Sequence, residues 1–203
     1  MNIHAYIYLY ILRCAIADIL YIMSGKPIKD LINSDIERNL KWDKNKDKIR
    51  GKVLRLNYLL VKSKEFRTIF YFREKHHGFL CKLSRIFLRD VPTIEFGNGG
   101  IGGGLIVSHY HSVIFPKNAG KNLRVGPGVV IGRNGGGFPV IGDNVYIAAN
   151  ATVIGNIEIG SNVIIGAGSV VTKSLDGNGV YVGNPVKMIK HIGDSAELLN
   201  EIM

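Results

Sequence analysis

A six-residue repeat dominates the C-terminal half of the chain and constrains its fold more than any other feature. An aliphatic residue or alanine recurs every six residues over 101–131 and again over 141–171. The twelve positions are Ile101, Val107, Val113, Ala119, Val125, Ile131, Ile141, Ile147, Val153, Ile159, Ile165 and Val171. A period of six is the signature of a parallel β-helix. Because three hexads make one triangular coil and no coil buries its face alone, the repeat predicts about four stacked coils.

The register breaks once, between Ile131 and Ile141, where four extra residues are inserted. The segment 132–139 is rich in glycine and contains Phe138. Because a loop that leaves a rigid solenoid is a natural binding element, we expect it to contact a substrate.

The earlier run 97–102 matches the G-x-G-x-x-G pattern, but the six-residue register follows it instead of a helix. A dinucleotide-binding fingerprint is therefore rejected.

The first 92 residues differ from the repeat in charge and in glycine content. They hold 19 Lys and Arg against 9 Asp and Glu, whereas residues 93–203 hold 7 of each, and 22 of the 25 glycines lie from residue 97 onward. We predict a basic helical region over 1–92, the solenoid domain over 93–192 and a short helical tail over 193–203. Apolar spacings of three and four predict helices near 49–72 and 79–88, and further helices are expected near 3–22 and 28–40.

The first predicted helix is apolar and about long enough to span a bilayer, but Arg13 and Asp18 fall inside it. We expect a packed or interfacial helix in a cytoplasmic protein, and no secretory signal. The basic charge suits peripheral contact with an anionic membrane or glycan precursor. No nucleic-acid motif accompanies it, so no nucleic-acid partner is expected. Cys14 and Cys81 are isolated in apolar segments, which predicts reduced, buried thiols.

Two motifs near the end of the repeat resemble those of the hexapeptide-repeat acyltransferases, in particular the serine acetyltransferase branch. They are IGAGSVVTK at 165–173 and GNPVKMIK at 183–190. The resemblance covers about residues 93–192 and implies a left-handed β-helix, a homotrimer with active sites between subunits, and acetyl-CoA as co-substrate. Small residues let a backbone approach a ligand, and lysines complement phosphate charge. The resemblance assigns coenzyme A binding to Ala149, Gly166, Ala167, Thr172, Lys173, Lys187 and Lys190.

O-acetylation needs a base that removes the proton of the acceptor hydroxyl, and histidine can be neutral near pH 7. The resemblance places this base at His109, in the third place of its hexad. His111 is left as a substrate or structural contact. The family's orienting aspartate aligns with Ile94, so we assign its role to the adjacent Glu95. We expect direct transfer in a ternary complex, with backbone N–H donors stabilising the oxyanion.

Two departures from the family pattern bear on the acceptor. Serine acetyltransferases have Asp just before the catalytic His and Arg-His-Pro in the extended turn, where this chain has Ser108 and Gly137-Phe138-Pro139. The charges that would pair with serine are therefore missing. We expect a hydroxyl of a sugar or surface-polysaccharide precursor as acceptor, contacted by Ser108, His111 and Phe138. Serine O-acetylation is the alternative.

Two other classes remain open. A metal-dependent hydratase on the same solenoid would need about three protein ligands. No further His or Cys joins His109 and His111 within residues 93–190, so no metal is expected. A non-catalytic scaffold is the last alternative, and it would not bind immobilised coenzyme A.

Overall fold

The computed structural model describes residues 3–192, with their side chains from residue 12 onward. The chain divides into two compact units, Met1–Pro92 and Thr93–Met203. The predicted fold, helices followed by a parallel solenoid, is confirmed. The helical tail that the sequence predicts over 193–203 lies outside the described residues.

The first unit consists of five α-helices and one 3₁₀ turn in its described part. They are α1 (Ile3–Met23), α2 (Lys26–Asn39), the 3₁₀ turn Lys46–Lys48, α3 (Lys52–Lys62), α4 (Lys64–Arg73) and α5 (Gly78–Phe87). The single helix predicted over 49–72 is wrong, because the chain is extended at Ser63. The Ser63 hydroxyl accepts the Phe66 N–H at 3.0 Å. Serine at this place satisfies an N–H that the start of a helix leaves without a partner.

The core of the helical unit combines apolar side chains with a buried ion pair. Leu60, Phe66 and Phe70 are buried within it. The Arg73 guanidinium on α4 donates to both carboxylate oxygens of Asp35 on α2, at 2.8 and 3.2 Å. Both charged side chains are almost fully buried. Within the described residues, no helix combines the length and the apolar character that a membrane span needs.

The second unit is a prism of three sheets. The first sheet contains β1 (Ile94–Phe96), β4 (Ser112–Ile114), β7 (Val130–Gly132), β10 (Thr152–Ile154) and β13 (Val170–Val171). The second contains β2 (Gly100–Ile101), β5 (Asn118–Ala119), β8 (Val140–Ile141) and β11 (Glu158–Ile159). The third contains β3 (Ile106–Val107), β6 (Arg124–Val125), β9 (Val145–Ile147), β12 (Val163–Ile165), β14 (Gly179–Val182) and β15 (Lys187–His191).

The chain visits the three sheets in turn and fits a left-handed β-helix of about five coils. The predicted count of about four was one coil short. At the start, β1 buries Ile94, whereas the six-residue register would place Glu95 inward. At the end, the last coil is shorter than the eighteen residues of three hexads. Leu175 forms a parallel β-bridge with Ile159, sixteen residues earlier. The solenoid therefore extends beyond the six-residue repeat at both ends.

One of the twelve repeat positions was assigned wrongly. Eleven are buried, but Val113 is half-buried and pairs with the outward Val130. Its neighbour Ile114 is fully buried and pairs with Ile131 of the interior column. The step from Val107 to Ile114 in the interior column therefore spans seven residues instead of six, and the next step, to Ala119, spans five. The extra residue lies in the turn 108–111, which contains both histidines of the repeat.

Candidate active site

One edge of the solenoid contains six of the twelve predicted site residues, including the predicted base His109. The chain passes from the third sheet to the first sheet at 108–111, 126–129, 148–151 and 166–169. We call this stack of turns the histidine edge. The predicted residues that lie on it are Ser108, His109, His111, Ala149, Gly166 and Ala167. Since neighbouring parallel strands lie ~4.8 Å apart, the His109 and Ala167 turns are ~14 Å apart.

His109 is the extra residue of the first turn on this edge. Ser108 and Gly126 open equivalent turns, because the N–H of each donates at 2.8 Å to a backbone carbonyl of the following coil. Tyr110 and Pro127 occupy the next equivalent place, because the carbonyl of each accepts an N–H of the following coil. His109 has no counterpart between Gly126 and Pro127. The insertion therefore consists of His109 itself.

Both histidines have a left-handed backbone. The φ of His109 is 63° and that of His111 is 62°. Gly128, Asn150 and Gly168 have similar positive φ at the place of His111 in the other turns. Positive φ is uncommon for residues other than glycine, and strained backbone often occurs at functional sites. His111 thus fills the usual left-handed place, whereas the left-handed residue His109 is an addition that exposes its imidazole.

Two hydroxyl side chains that the sequence analysis missed hold this turn. The Thr93 hydroxyl accepts the His111 N–H at 3.2 Å. The Ser112 hydroxyl, fully buried, donates to the Gly126 carbonyl at 3.2 Å. The Tyr110 ring stands edge-on to the His111 ring, with centroids 6.4 Å apart. The only sequence signal for Thr93 and Ser112 was a hydroxyl at a strand boundary, which is too common to identify a site.

Glu95 lies on the outer face of the first sheet. It is the exposed middle residue of β1 and is paired with Val113 of β4, the strand that follows the His109 turn. Ile94, which aligns with the family's aspartate, is buried instead. The structure therefore leaves Glu95 as the carboxylate on the outer face of β1. Its role as the partner of His109 stays a prediction.

Three other predicted residues lie on a different edge, where the chain passes from the first sheet to the second. They are Phe138, Thr172 and Lys173, all of them exposed. A cavity of about 580 Å³ opens on this edge. It is lined by Phe96, Gly97, Asn98, Gly99, Phe115, Pro116, Lys117 and Phe138. One chain alone therefore places Phe138 and His109 on separate edges of the prism.

The last two predicted lysines are on β15. This strand follows a turn with a cis Asn184–Pro185 bond and pairs antiparallel with β14. All five of its residues are exposed, including Lys187 and Lys190. The turn before β15 continues the histidine edge, and the Gly183 N–H donates to the buried Ser169 hydroxyl at 3.0 Å. Both ammonium groups thus lie beyond the last coil.

A cluster of metal-ligand side chains lies in the helical unit. In the part of the chain that the structure describes, Glu74, His76 and His77 have donor atoms within 4.8 Å of one another, and neither His109 nor His111 belongs to such a group. The buried Glu74 carboxylate accepts the Ser24 hydroxyl and contacts His77 Nδ1 at 3.0 Å. His77 therefore has a structural role as the partner of the buried Glu74 carboxylate. They lend no support to a hydratase built on the solenoid histidines.

Comparisons with known proteins agree with this geometry. Residues 138–173 match the family model described as bacterial transferase hexapeptide (six repeats). A serine acetyltransferase of Staphylococcus aureus is 41% identical over 121 residues, which cover 56% of this chain and 55% of that protein. One from Staphylococcus epidermidis is 38% identical, with the same coverage of the two chains. The chain thus spans about half the length of the curated relatives it matches.

Solved structures give the same picture over more of the chain. Neisseria gonorrhoeae serine acetyltransferase superposes with a TM-score of 0.65 at 26% identity, covering 87% of this chain and 70% of that one. The predicted resemblance to hexapeptide-repeat acyltransferases is confirmed. Within that class, the similarity is to the serine acetyltransferase branch.

Proposed function

We propose that this protein is an acetyl-CoA-dependent O-acetyltransferase in which His109 is the general base. The observation that carries the proposal is the histidine edge. An added, left-handed, exposed His109 stands on the same edge as Ala149, Gly166 and Ala167. An extended pantetheine arm lying along the ~14 Å between the His109 and Ala167 turns would bring its thioester to the imidazole.

The reaction follows from this arrangement. The neutral imidazole of His109 takes the proton of the acceptor hydroxyl as its oxygen attacks the thioester carbonyl. Backbone N–H groups stabilise the oxyanion, and the carbon–sulfur bond then breaks. Coenzyme A leaves as a thiolate that takes the proton from His109. Both substrates are bound together in a ternary complex, and Glu95 orients the imidazole.

The donor site fits the local structure of the edge. A Cβ at Gly126 would come within 2.8 Å of the Ala149 nitrogen, so neighbouring turns approach closely and present backbone groups. The exposed ammonium groups of Lys173, Lys187 and Lys190 suit the phosphates of coenzyme A.

We also propose a homotrimer in the cytoplasm. Lys173 and Phe138 lie on the second edge of the prism, away from His109. A homotrimer would set that edge of one subunit beside the histidine edge of the next. Each active site would then be complete only between two subunits.

Serine is the first acceptor to test. The relatives at 41% and 38% identity are serine acetyltransferases. The Neisseria enzyme has also been solved in complex with serine, and that structure superposes with a TM-score of 0.64 at 27% identity, covering 83% of this chain and 71% of that one. The expectation of a sugar or polysaccharide precursor is not confirmed, and the serine alternative has the better support.

One observation keeps a sugar hydroxyl as the second candidate. Ser108 brings no charge to the turn of His109, and the 580 Å³ cavity on the second edge is lined by the rings of Phe96, Phe115 and Phe138. Aromatic faces pack well against the C–H faces of sugars. Lys117 at the same cavity suits a phosphate of a nucleotide-linked or lipid-linked sugar.

Acceptor-dependent release of coenzyme A thiol tests the proposal. We expect thiol release from acetyl-CoA with L-serine or with a nucleotide-linked sugar, measured separately. Phe138→Ala should lower turnover of the sugar and leave serine turnover nearly unchanged. Failure to bind immobilised coenzyme A, together with no release with either acceptor, would favour the non-catalytic scaffold.

A further inference from the structure

The outward face of α1 is apolar along its described length. Its large exposed side chains are Leu12, Ile19, Ile22 and Met23, with exposed fractions of 87%, 49%, 64% and 57%. They recur at spacings close to the helical period and lie opposite the buried Cys14, Ala17, Leu20 and Tyr21. A helix that is apolar on both faces is normally buried on both, so we expect another molecule to cover the outward face of α1.

The outward face of α5 has the same character. Its exposed apolar side chains are Phe79, Leu83, Ile86 and Phe87, with exposed fractions of 79%, 37%, 66% and 46%. The opposite face buries Cys81 and Ser84. The ten residues of this helix therefore leave two phenylalanines and two aliphatic side chains in contact with solvent.

The two helices lie side by side in opposite directions. The Arg13 guanidinium on α1 donates to the Phe87 carbonyl at the end of α5, at 3.2 and 2.8 Å. The hydroxyl of Ser24, directly after α1, donates to Glu74, shortly before α5 begins. The eight exposed apolar side chains therefore lie on two adjacent antiparallel helices, and we call them together the apolar patch. With four large apolar side chains on each helix and exposed fractions from 37% to 87%, the apolar patch exceeds the single exposed hydrophobic residues that are normal on a protein surface.

Cations surround the apolar patch. Lys29 Nζ donates to the Ile22 carbonyl at 2.8 Å, at one end of the patch, and Arg13 lies at the other. Lys82 is exposed on α5 and Arg89 just after it. The nearby carboxylate of Asp90 already accepts the Arg85 guanidinium at 3.0 Å. Asp30, which is exposed on α2, is the other acidic side chain close in sequence to this end.

We propose that the apolar patch binds the surface of an anionic lipid bilayer. Its apolar side chains would enter the boundary between headgroups and acyl chains, while the surrounding cations meet the lipid phosphates. Charge favours this occupant over a second copy of the chain. The helical unit carries 19 Lys and Arg against 9 Asp and Glu, so pairing two such faces would bring like charges together. This inference does not depend on the proposed acetyltransferase activity.

Co-sedimentation of the full chain with vesicles tests the proposal. One set of vesicles is phosphatidylcholine alone, and the other contains phosphatidylcholine with about one third phosphatidylglycerol. We expect at least tenfold stronger binding to the anionic vesicles. The double variant Phe79→Ser/Ile86→Ser should lower that binding at least tenfold, and Lys82→Gln about fivefold. Val53→Ser is the matched control, because Val53 is 41% exposed on α3 and lies outside the patch.

Sedimentation velocity on the same samples tests whether a second copy of the chain covers the apolar patch instead of a bilayer. Equal binding to both kinds of vesicle, no binding to either, or an equal loss with Val53→Ser would overturn the proposal. So would an oligomer that dissociates in Phe79→Ser/Ile86→Ser while no vesicle binding is seen, because the patch would then join copies of the chain. An unchanged unfolding midpoint shows that the variants fold.

Discussion

The two units of this protein bury different kinds of side chain. In the described part of the chain, the buried polar or charged side chains of the helical unit are Ser24, Asp35, Asn57, Arg67, Thr68, Arg73, Glu74 and Ser84. Those of the solenoid are Ser112 and Ser169. Each serine directly follows a left-handed residue of the histidine edge. The solenoid is therefore stabilised by repetition, and its exceptions cluster at the candidate active site, whereas the helical unit depends on individual polar partnerships.

The largest effect on stability is expected from the buried ion pair of the helical unit. Asp35→Asn keeps the shape of the side chain but leaves the buried Arg73 guanidinium without its counter-charge. We expect a loss of about 3–5 kcal/mol in the free energy of unfolding, measured by urea denaturation. Glu37→Gln is the control on the same helix, since Glu37 is half exposed where it meets Arg55, and it should cost less than about 1 kcal/mol. Equal losses in the two variants would contradict the view that the helical unit depends on its buried polar partnerships.

A second pair of variants tests the register of the solenoid. Ile114→Ala removes a fully buried side chain from the interior column and should cost about 2–5 kcal/mol. Val113→Ala, one residue earlier, should cost less than about 1 kcal/mol, because Val113 is half-buried on the outer side. Thermal unfolding of the two variants decides between the registers. A larger loss for Val113→Ala would show that Val113 is the inward residue, so that the six-residue spacing holds from Ile101 to Ile131 and His109 is not an added residue.

This register error shows where sequence reasoning reaches its limit. The repeat predicts the solenoid because eleven interior positions are aliphatic or alanine. The pattern does not reveal the extra residue, because Val113 and Ile114 are both aliphatic and either can fill an interior place. Hydrogen bonding reveals it, since only the backbone ladder shows that His109 has no counterpart in the next coil.

The remaining differences have similar physical causes. The break at Ser63 involves a hydrogen bond from the Phe66 N–H to the Ser63 hydroxyl, in a segment whose apolar spacing continues without interruption. The separation of Phe138 from His109 depends on which corner of a coil each residue reaches. The six-residue spacing marks the inward residues, but it does not show which corner of the prism a cavity or an active site occupies. The helical patterns predicted α1, α2 and α5, because one stripe of each is buried against the core.

The smallest expected effect concerns the two thiols. Both cysteines are free and buried, as predicted, and burial raises the pKa of Cys14 to about 12 and that of Cys81 to about 11. Because the thiolate is the reactive form, neither should react with a disulfide reagent at pH 8 while the protein is folded. Both should react in urea. Rapid reaction of the folded protein would show that the helical core opens readily.

The central claim is that His109 is the base and that the donor site on the same edge does not depend on it. The most direct measurement compares His109→Asn with His111→Asn, since asparagine tolerates a positive φ and occupies this kind of turn at Asn150. We predict that His109→Asn lowers kcat by about 10²–10⁴-fold while the Kd for coenzyme A stays within about twofold. His111→Asn should retain most of kcat. Full activity in His109→Asn, or an equal loss in both variants, would contradict the account.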